Sequence, residues 1–296
     1  MTSTAPNSVR VRANGIMQHV LEWPGPADRT ALVLHGYLDQ AQSFVPVADA
    51  LARAGWRVLA PDFRGHGRSA WVPEGAYYHF PDYIADVVAL IDVLAPVASS
   101  GRIAVIAHSM GGTVATMFAG VRSERVHALA LLEGMGPPAM PADVMPIRLE
   151  RWLDGLSRPR VRDRKKLVST DEAMERLRVT HGGQVPDAIL RRVAAELTEP
   201  HPSGDGLTWR FDPLHQTTSP ARFDTEAFAA FAHRIAAPVL LVDGGQNGMR
   251  HIDDATRRTW FAQHEDITLE GAGHMMHWTQ PDALSACLVR FLARVG

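Results

Sequence analysis

The chain has 296 residues, of which 46% are hydrophobic, and a formal net charge of −2. It is long enough to bury a full core as one large domain or two, and its near-neutral charge argues against nucleic acid or a membrane surface as a partner. No apolar run approaches the roughly 18 residues that a membrane span needs. The single cysteine, Cys287, excludes an internal disulfide framework. Together with an N-terminal stretch that lacks an apolar segment, it predicts a cytoplasmic protein.

Short apolar runs bounded by turn residues alternate with longer amphipathic segments along most of the chain. The predicted strands lie at 31–36, 56–63, 102–109, 126–134, 238–245 and 266–274. The predicted helices lie at 43–55, 80–96, 110–121, 253–262 and 281–293. This alternation is typical of an α/β protein in which a mostly parallel, doubly wound sheet is covered by helices.

Residues 137–223 interrupt this alternation. The segment begins near "GPPAMPADVMP", shows no strong strand pattern and contains helical stretches such as "PDAILRRVAAEL". We therefore predict a mainly helical cap at 137–223, inserted between the two parts of an α/β core at 1–136 and 224–296. Ligands bind at the carboxyl ends of the strands in open α/β sheets, so a cap at that edge would shape a substrate pocket.

The stretch "VIAHSMGGTVA", residues 105–115, predicts a strand that turns sharply into a helix with Ser109 at the apex. Ala107 and Gly111 flank the serine at the two positions where a nucleophile elbow needs small residues, because strand and helix approach each other closely there. A serine at a helix start can also serve only as the N-cap. The strand–turn–helix context favours a nucleophile.

A nucleophilic serine needs a histidine to take its proton and a carboxylate to orient that histidine. The stretch "LEGAGHMMHWTQP" puts His274 in a glycine-rich loop after the last predicted strand. His277 follows three residues later, but no third ligand of suitable spacing stands nearby, so we predict neither a metal nor a cofactor. Three further histidines are interpreted as turn or packing residues: His35, His66 and His108.

Six stretches, "LHGYLDQAQSF", "DFRGHGRS", "AHSMGG", "LLEGMGPP", "WRFDPLH" and "GAGHMMH", together resemble the serine hydrolase-like group of the α/β-hydrolase superfamily. The resemblance covers almost the whole chain, and the first stretch is its most group-specific part. It implies the α/β-hydrolase fold with a helical cap, and a Ser–acid–His hydrolase of esters or related acyl compounds with His274 as base. Epoxide hydrolases and haloalkane dehalogenases of this fold carry Asp as nucleophile, so Ser109 argues against both activities.

The resemblance also implies two backbone donors for the oxyanion of a tetrahedral intermediate. One is the N–H of Met110, at the start of the helix that follows the serine. The other is the N–H of Tyr37, which follows the His35–Gly36 turn.

The position of the catalytic acid follows less directly from the sequence. In this fold the acid usually follows the strand before the histidine strand, where this chain has Asn247, and asparagine cannot offset an imidazolium charge. Asp243 lies at the strand end, and Asp253 and Asp254 look like residues of a helix start. Glu133 ends the preceding strand and keeps the chain order serine, acid, histidine. We predict Glu133 as the acid, with Asp243 and Asp253 left open.

Four aromatic residues are expected to line an apolar substrate pocket, although large aromatics are also common in cores: Trp152, Trp209, Phe211 and Trp278. The expected activity is cleavage of a small carboxylic ester through an acyl-enzyme on Ser109, with a small-molecule acyl substrate as the partner. Fold alone does not fix chemistry. Carbon–carbon bond hydrolysis, lactonase, thioesterase or acyltransferase activity of the same triad stays open, as does a non-catalytic ligand-binding protein.

Overall fold

The computed structural model describes residues 5–96, 101–157, 163–181 and 185–295. Its strands, in chain order, are β1 (Asn7–Ala13), β2 (Ile16–Trp23), β3 (Thr30–Leu34), β4 (Arg57–Pro61), β5 (Ile103–His108), β6 (Val126–Leu132), β7 (Thr198–Pro200), β8 (Leu207–Trp209), β9 (Val239–Asp243) and β10 (His264–Thr268). Its helices are α1 (Val45–Arg53), α2 (Phe80–Leu94), α3 (Met110–Val121), α4 (Met145–Ser157), α5 (Thr170–Thr180), α6 (Asp187–Leu197), α7 (Thr225–Ala232), α8 (Asp254–Arg258), α9 (Met276–Thr279) and α10 (Pro281–Val295).

An eight-stranded sheet in the order β1-β2-β4-β3-β5-β6-β9-β10 forms the centre of the molecule. Strand β2 pairs antiparallel with β1 and with β4, and the other neighbours pair parallel. The predicted α/β fold class is therefore confirmed. No helix within the described ranges is long and apolar enough to cross a membrane.

Helices cover both faces of the sheet, because the parallel strands alternate buried side chains between two apolar clusters. In β3, Leu32 and Leu34 face the cluster formed with α2, α3 and α7, whereas Ala31 and Val33 face the cluster formed with α1 and α10. All five residues of β3 are buried, which explains why this strand reads as a continuous apolar run. Cys287 packs in the second cluster, as expected of a core residue.

The β1–β2 hairpin was not predicted from the sequence. Its turn is Asn14–Gly15, and both residues have a positive φ, 50° and 76°. An Asn–Gly pair is the preferred sequence of the two-residue turn with this geometry, so a signal for the hairpin was present. The strands themselves gave a weak signal because only Val11 and Ala13 of β1 are buried.

The segment predicted to form a helical cap contains α4, α5 and α6, together with the antiparallel pair β7–β8. These two strands were not predicted, since each is only three residues long. Helices α5 and α6 build a third apolar cluster that also includes Met275 and Trp278 from the loop and helix after β10. The insertion thus packs against the part of the core that carries His274. The exact boundaries of core and cap stay a prediction.

Glu196, on α6, is a carboxylate at this contact. Its backbone oxygen accepts a hydrogen bond of 2.6 Å from Gln40 Nε2, and its Oε1 lies 3.3 Å from Arg192 Nη1. Its Oε2 is buried and has no hydrogen-bond partner among the described residues. Burial raises the pKa of Glu196 to about 7. Because the folded chain holds this proton more tightly than the unfolded chain, the free energy of unfolding falls as pH rises from the ordinary pKa of a glutamate to about 7.

We predict that Glu196→Gln stabilises the protein at pH 8, by about 1–2 kcal/mol after allowance for partial exposure and for loss of the Arg192 pair. At pH 4, below the ordinary pKa of a glutamate, this side chain is largely protonated in both the folded and the unfolded wild type, so the two proteins should unfold alike. Urea unfolding at both pH values measures the difference. Glu175→Gln, at an exposed carboxylate of α5, is the matched control. Equal stability of Glu196→Gln and wild type at pH 8 would contradict the prediction.

Candidate active site

Ser109 occupies the sharp turn between β5 and α3, with φ 52° and ψ −117°. A non-glycine residue pays steric energy in this region and stays there only when its surroundings hold it. The surroundings are tight: a Cβ added to Gly111 would lie 2.5 Å from the backbone oxygen of His35. The backbone N–H of Ser109 donates to Leu132 O of the neighbouring strand at 3.0 Å. Strand pairing and close packing therefore fix the position of the serine.

Three predicted catalytic residues come together at this turn. Ser109 Oγ lies 3.1 Å from His274 Nε2, and His274 Nδ1 lies 2.7 Å from Glu133 Oε2. In the tautomer that satisfies both contacts, Nδ1–H donates to the carboxylate and Nε2 accepts from the hydroxyl. The Glu133 side chain is 4% exposed and that of His274 is 22% exposed, so the hydrogen-bonded chain runs from the interior to the open side of the site.

Glu133 follows β6 directly and has a positive φ of 46°. Its backbone N–H donates to Val242 O at 3.0 Å, which ties it to the neighbouring strand β9. Its Oε1 accepts from Gly244 N–H and its Oε2 from Met249 N–H, both at 2.7 Å. A Cβ at Gly248 would clash with Oε1, so only glycine fits there. The loop after β9 thus encloses the carboxylate of Glu133.

The other candidate carboxylates form hydrogen bonds or ion pairs with groups other than His274. Asp243 Oδ1 accepts from Gly245 N–H at 2.7 Å, Asp253 pairs with Arg257 at 2.9 Å, and Asp254 accepts from His251 N–H at 3.0 Å. Asn247 ends a short 3-10 turn in the loop around Glu133. Within the described residues, Glu133 is the carboxylate hydrogen-bonded to His274.

The two predicted oxyanion donors lie beside the serine. Met110 is the first residue of α3, where the N–H groups point out of the helix and the macrodipole favours negative charge. Tyr37 follows Gly36, at which a Cβ would lie 3.2 Å from Ser109 Cβ. In the described part of the chain, neither the Met110 nor the Tyr37 N–H has a hydrogen-bond acceptor. Both residues line the same cavity as Ser109.

His35 and His66 order the loop that carries Tyr37, as the turn interpretation expected. His35 Nε2 accepts from Phe63 N–H at 2.9 Å, and His66 Nε2 accepts from Leu38 N–H at 3.2 Å. Burial lowers the pKa of both rings, which keeps them neutral and able to accept. Their role is to fix the backbone around Tyr37 through these hydrogen bonds.

A buried group of Asp39, His108 and His277 lies behind His274. The sequence predicts a packing role for His108 and does not predict that these three residues come together. His108 Nε2 donates to the backbone oxygen of His274 at 2.8 Å, and His277 Nε2 lies 2.9 Å from Asp39 Oδ2. Burial lowers the pKa of both histidines. One potential ligand atom from each of the three lies within 4.8 Å of the others, whereas His274 is not in this group. Its hydrogen bonds make it a brace for the His274 loop, and the absence of a metal stays a prediction.

Ser109 lines a cavity of about 610 Å³. Its wall is formed largely by the start of α2, the start of α3, the insertion and α7. The apolar and aromatic lining residues include Tyr77, Phe80, Met117, Trp152, Phe223, Phe228 and Phe231. A cavity of this size holds a small organic substrate.

Of the four aromatics expected in the pocket, only Trp152 lines this cavity. Trp209 lies in β8 and stacks on Phe211 with ring centroids 6.1 Å apart, and Phe211 forms a backbone bridge with His66. Trp278 is 1% exposed and belongs to the apolar cluster under α5 and α6. Trp209, Phe211 and Trp278 are not among the residues that line this cavity, and their rings fill contacts within the insertion and between it and the core.

Comparison with known proteins shows the family to which the chain belongs. The family model for the alpha/beta hydrolase fold matches residues 32–281. A serine hydrolase-like protein of Danio rerio is 28% identical over 282 residues, which cover 91% of this chain and 83% of that protein. An esterase of Mycobacterium tuberculosis is 28% identical over 287 residues, which cover 94% and 87%.

Among solved structures, a hypothetical protein of Pseudomonas aeruginosa PAO1 matches with a TM-score of 0.81 and 31% identity, over 99% of both chains. The shared fold, the matched family model and the sequence relatives lead to one conclusion: the chain is a hydrolase and belongs to the α/β-hydrolase family.

Proposed function

We propose that this hydrolase cleaves a small carboxylic ester through an acyl-enzyme on Ser109. The observation that carries the proposal is the continuous hydrogen-bonded chain from Ser109 Oγ through His274 to Glu133, with contacts of 3.1 Å and 2.7 Å. The serine end of this chain lines an apolar cavity. A sequence relative named as an esterase supports the choice of an ester.

Acylation begins when Ser109 Oγ attacks the ester carbonyl carbon and His274 Nε2 takes the hydroxyl proton. The carbonyl oxygen becomes an oxyanion, which accepts hydrogen bonds from the N–H groups of Met110 and Tyr37. Glu133 stabilises the imidazolium that forms and keeps its Nδ1–H toward the carboxylate. The tetrahedral intermediate then collapses, the bond to the leaving oxygen breaks, and His274 gives its proton to the departing alcohol.

Deacylation repeats these steps with water as the nucleophile. His274 removes a proton from a water molecule that attacks the acyl carbon, the same two N–H groups hold the second oxyanion, and Ser109 recovers its proton as the acid leaves. Both half-reactions use the chain's own groups and need no cofactor.

The non-catalytic alternative rested on the asparagine at the usual acid position. Glu133 approaches His274 from the neighbouring strand instead and makes the contact that the acid must make. This arrangement favours catalysis, since a binding protein has no need of an ordered acid, base and nucleophile at the wall of its cavity.

We predict that a fluorophosphonate adds once to the wild type and not to Ser109→Ala, because only an activated serine displaces fluoride rapidly. Intact mass after brief exposure measures the adduct. The same variant should lose turnover of a chromogenic short-chain ester by about 10⁵–10⁶-fold, as loss of a serine nucleophile does. An adduct that persists in Ser109→Ala, or a wild type without an adduct, would overturn the proposal.

We predict that Glu133→Gln lowers kcat by about 10³–10⁴-fold, as the amide for a triad carboxylate does. Glutamine has one accepting oxygen where the carboxylate has two, and its NH₂ accepts no hydrogen bond. It therefore cannot accept from His274 Nδ1–H and from both the Met249 and Gly244 N–H groups, and the histidine loses its orientation. Steady-state kinetics on the same ester measures the loss.

Asp243→Asn is the matched control, since this carboxylate bonds to Gly245 rather than to His274. It should turn over the ester within about threefold of the wild type, because a substitution that leaves the triad contacts unchanged removes no transition-state stabilisation. A large loss in Asp243→Asn with near-normal turnover in Glu133→Gln would transfer the acid role to Asp243.

A further inference from the structure

The wall of the active-site cavity contains a cation that has no counter-charge among the residues that the structure describes. Arg148, on α4, lines the cavity together with Ser109 and is half-buried. Its Nη2 donates to the neutral backbone oxygen of Ser219 at 2.9 Å, and its Nε is buried without a hydrogen-bond partner in the described ranges. No carboxylate in those ranges lies within ion-pair distance of its guanidinium.

The other half-buried or cavity-lining arginines in the described part of the insertion differ in this respect, because each is paired with a carboxylate. The pairs are Arg164 and Arg210 with Glu199, Arg176 with Glu172, Arg178 with Asp187, Arg192 with Glu196, and Arg222 with Asp224. Arg222 also lines the cavity, with its partner carboxylate at 3.7 Å. Arg148 is therefore distinguished by its missing partner as well as by its position.

The apolar surroundings of Arg148 make its unpaired charge energetically unfavourable. Trp152, one turn further along α4, lines the cavity beside aromatic and aliphatic side chains such as Met117, Phe223 and Phe231. A cation in such a wall loses part of its hydration, and the loss is offset best by a hydrogen-bonded anion. The planar guanidinium matches a carboxylate in two parallel hydrogen bonds. An anionic group of the substrate would supply that partner.

We propose that the ester cleaved at Ser109 carries a carboxylate and that Arg148 binds it. This inference rests on the proposed function, since it names the substrate class of the same site. One end of the substrate is the ester carbonyl at Ser109 and the other is an acid group at Arg148, with an apolar chain between them against the aromatic wall. Arg148 selects the substrate and takes no part in proton transfer.

Matched chromogenic esters test the proposal. The acidic probes are the p-nitrophenyl monoesters of adipic and suberic acids, and the neutral probes are p-nitrophenyl hexanoate and octanoate. The wild type should have a kcat/KM at least about tenfold higher for the acidic probes, since a charge-assisted hydrogen bond contributes to binding. Arg148→Gln should lower kcat/KM for the acidic probes by about 10–100-fold, mainly through KM, and leave the neutral probes unchanged.

Arg151→Gln is the matched control, because Arg151 lies on the same helix, is exposed and does not line the cavity. It should leave all four probes unchanged. Equal kcat/KM for acidic and neutral probes in the wild type would overturn the proposal. So would an Arg148→Gln variant that affects both classes alike, since that result indicates a structural role.

A binding experiment separates this inference from the proposed function. Calorimetric titration of Ser109→Ala with monoethyl adipate should show binding that weakens about 10–100-fold when Arg148→Gln is added. If the wild type cleaves no ester but binding still depends on Arg148, the proposed function fails and the carboxylate-binding role of Arg148 stands. If esters are cleaved but Arg148 does not affect binding, the carboxylate-binding role of Arg148 fails and the proposed function stands.

Discussion

The active site depends on one carboxylate held between two strand ends. The parallel pairing of β6 with β9 brings Leu132 opposite Val242, so Glu133 leaves the sheet next to the loop that follows β9. Two N–H groups of that loop, from Gly244 and Met249, hold the carboxylate and direct it to His274. In the usual arrangement of this fold, the loop after β9 carries the acid itself. Here that loop instead positions Glu133, which follows the neighbouring strand β6, and the glycines of the loop leave space for its carboxylate.

Backbone strain and buried polar bonds complete this arrangement. Ser109 and Glu133 both have a positive φ, a conformation that costs energy and persists where the surrounding structure holds it. The sheet holds both residues through backbone hydrogen bonds to neighbouring strands. Behind His274, the His108 ring supports the loop through its backbone oxygen. The site is thus built on rigid strand ends, which favours the pre-organised geometry that catalysis requires.

The sequence was most informative where local chemistry determines structure. A serine between small residues at a strand–helix junction, a histidine in a late glycine-rich loop and a glutamate at a strand end, interpreted with the family resemblance, predicted three residues that lie within hydrogen-bonding distance. Contacts between distant segments could not be predicted in this way. The burial of Trp278 depends on packing by α5 and α6, and the missing counter-charge of Arg148 depends on which carboxylates the fold brings near. The hydrophobic periodicity of a single segment indicates neither the burial of Trp278 nor the missing counter-charge of Arg148.

The hydrogen bond between His274 and Glu133 can be observed directly by proton NMR in water. A histidine Nδ1–H bonded to a carboxylate resonates far downfield of the amide protons. The described residues contain three further histidine–carboxylate contacts, His19–Asp62, His277–Asp39 and the longer His264–Asp266, so the resonance is assigned by its loss in His274→Gln. We expect this resonance to disappear in Glu133→Gln and to persist in Asp243→Asn. Its persistence in Glu133→Gln would contradict the role of Glu133 as the acid that orients His274.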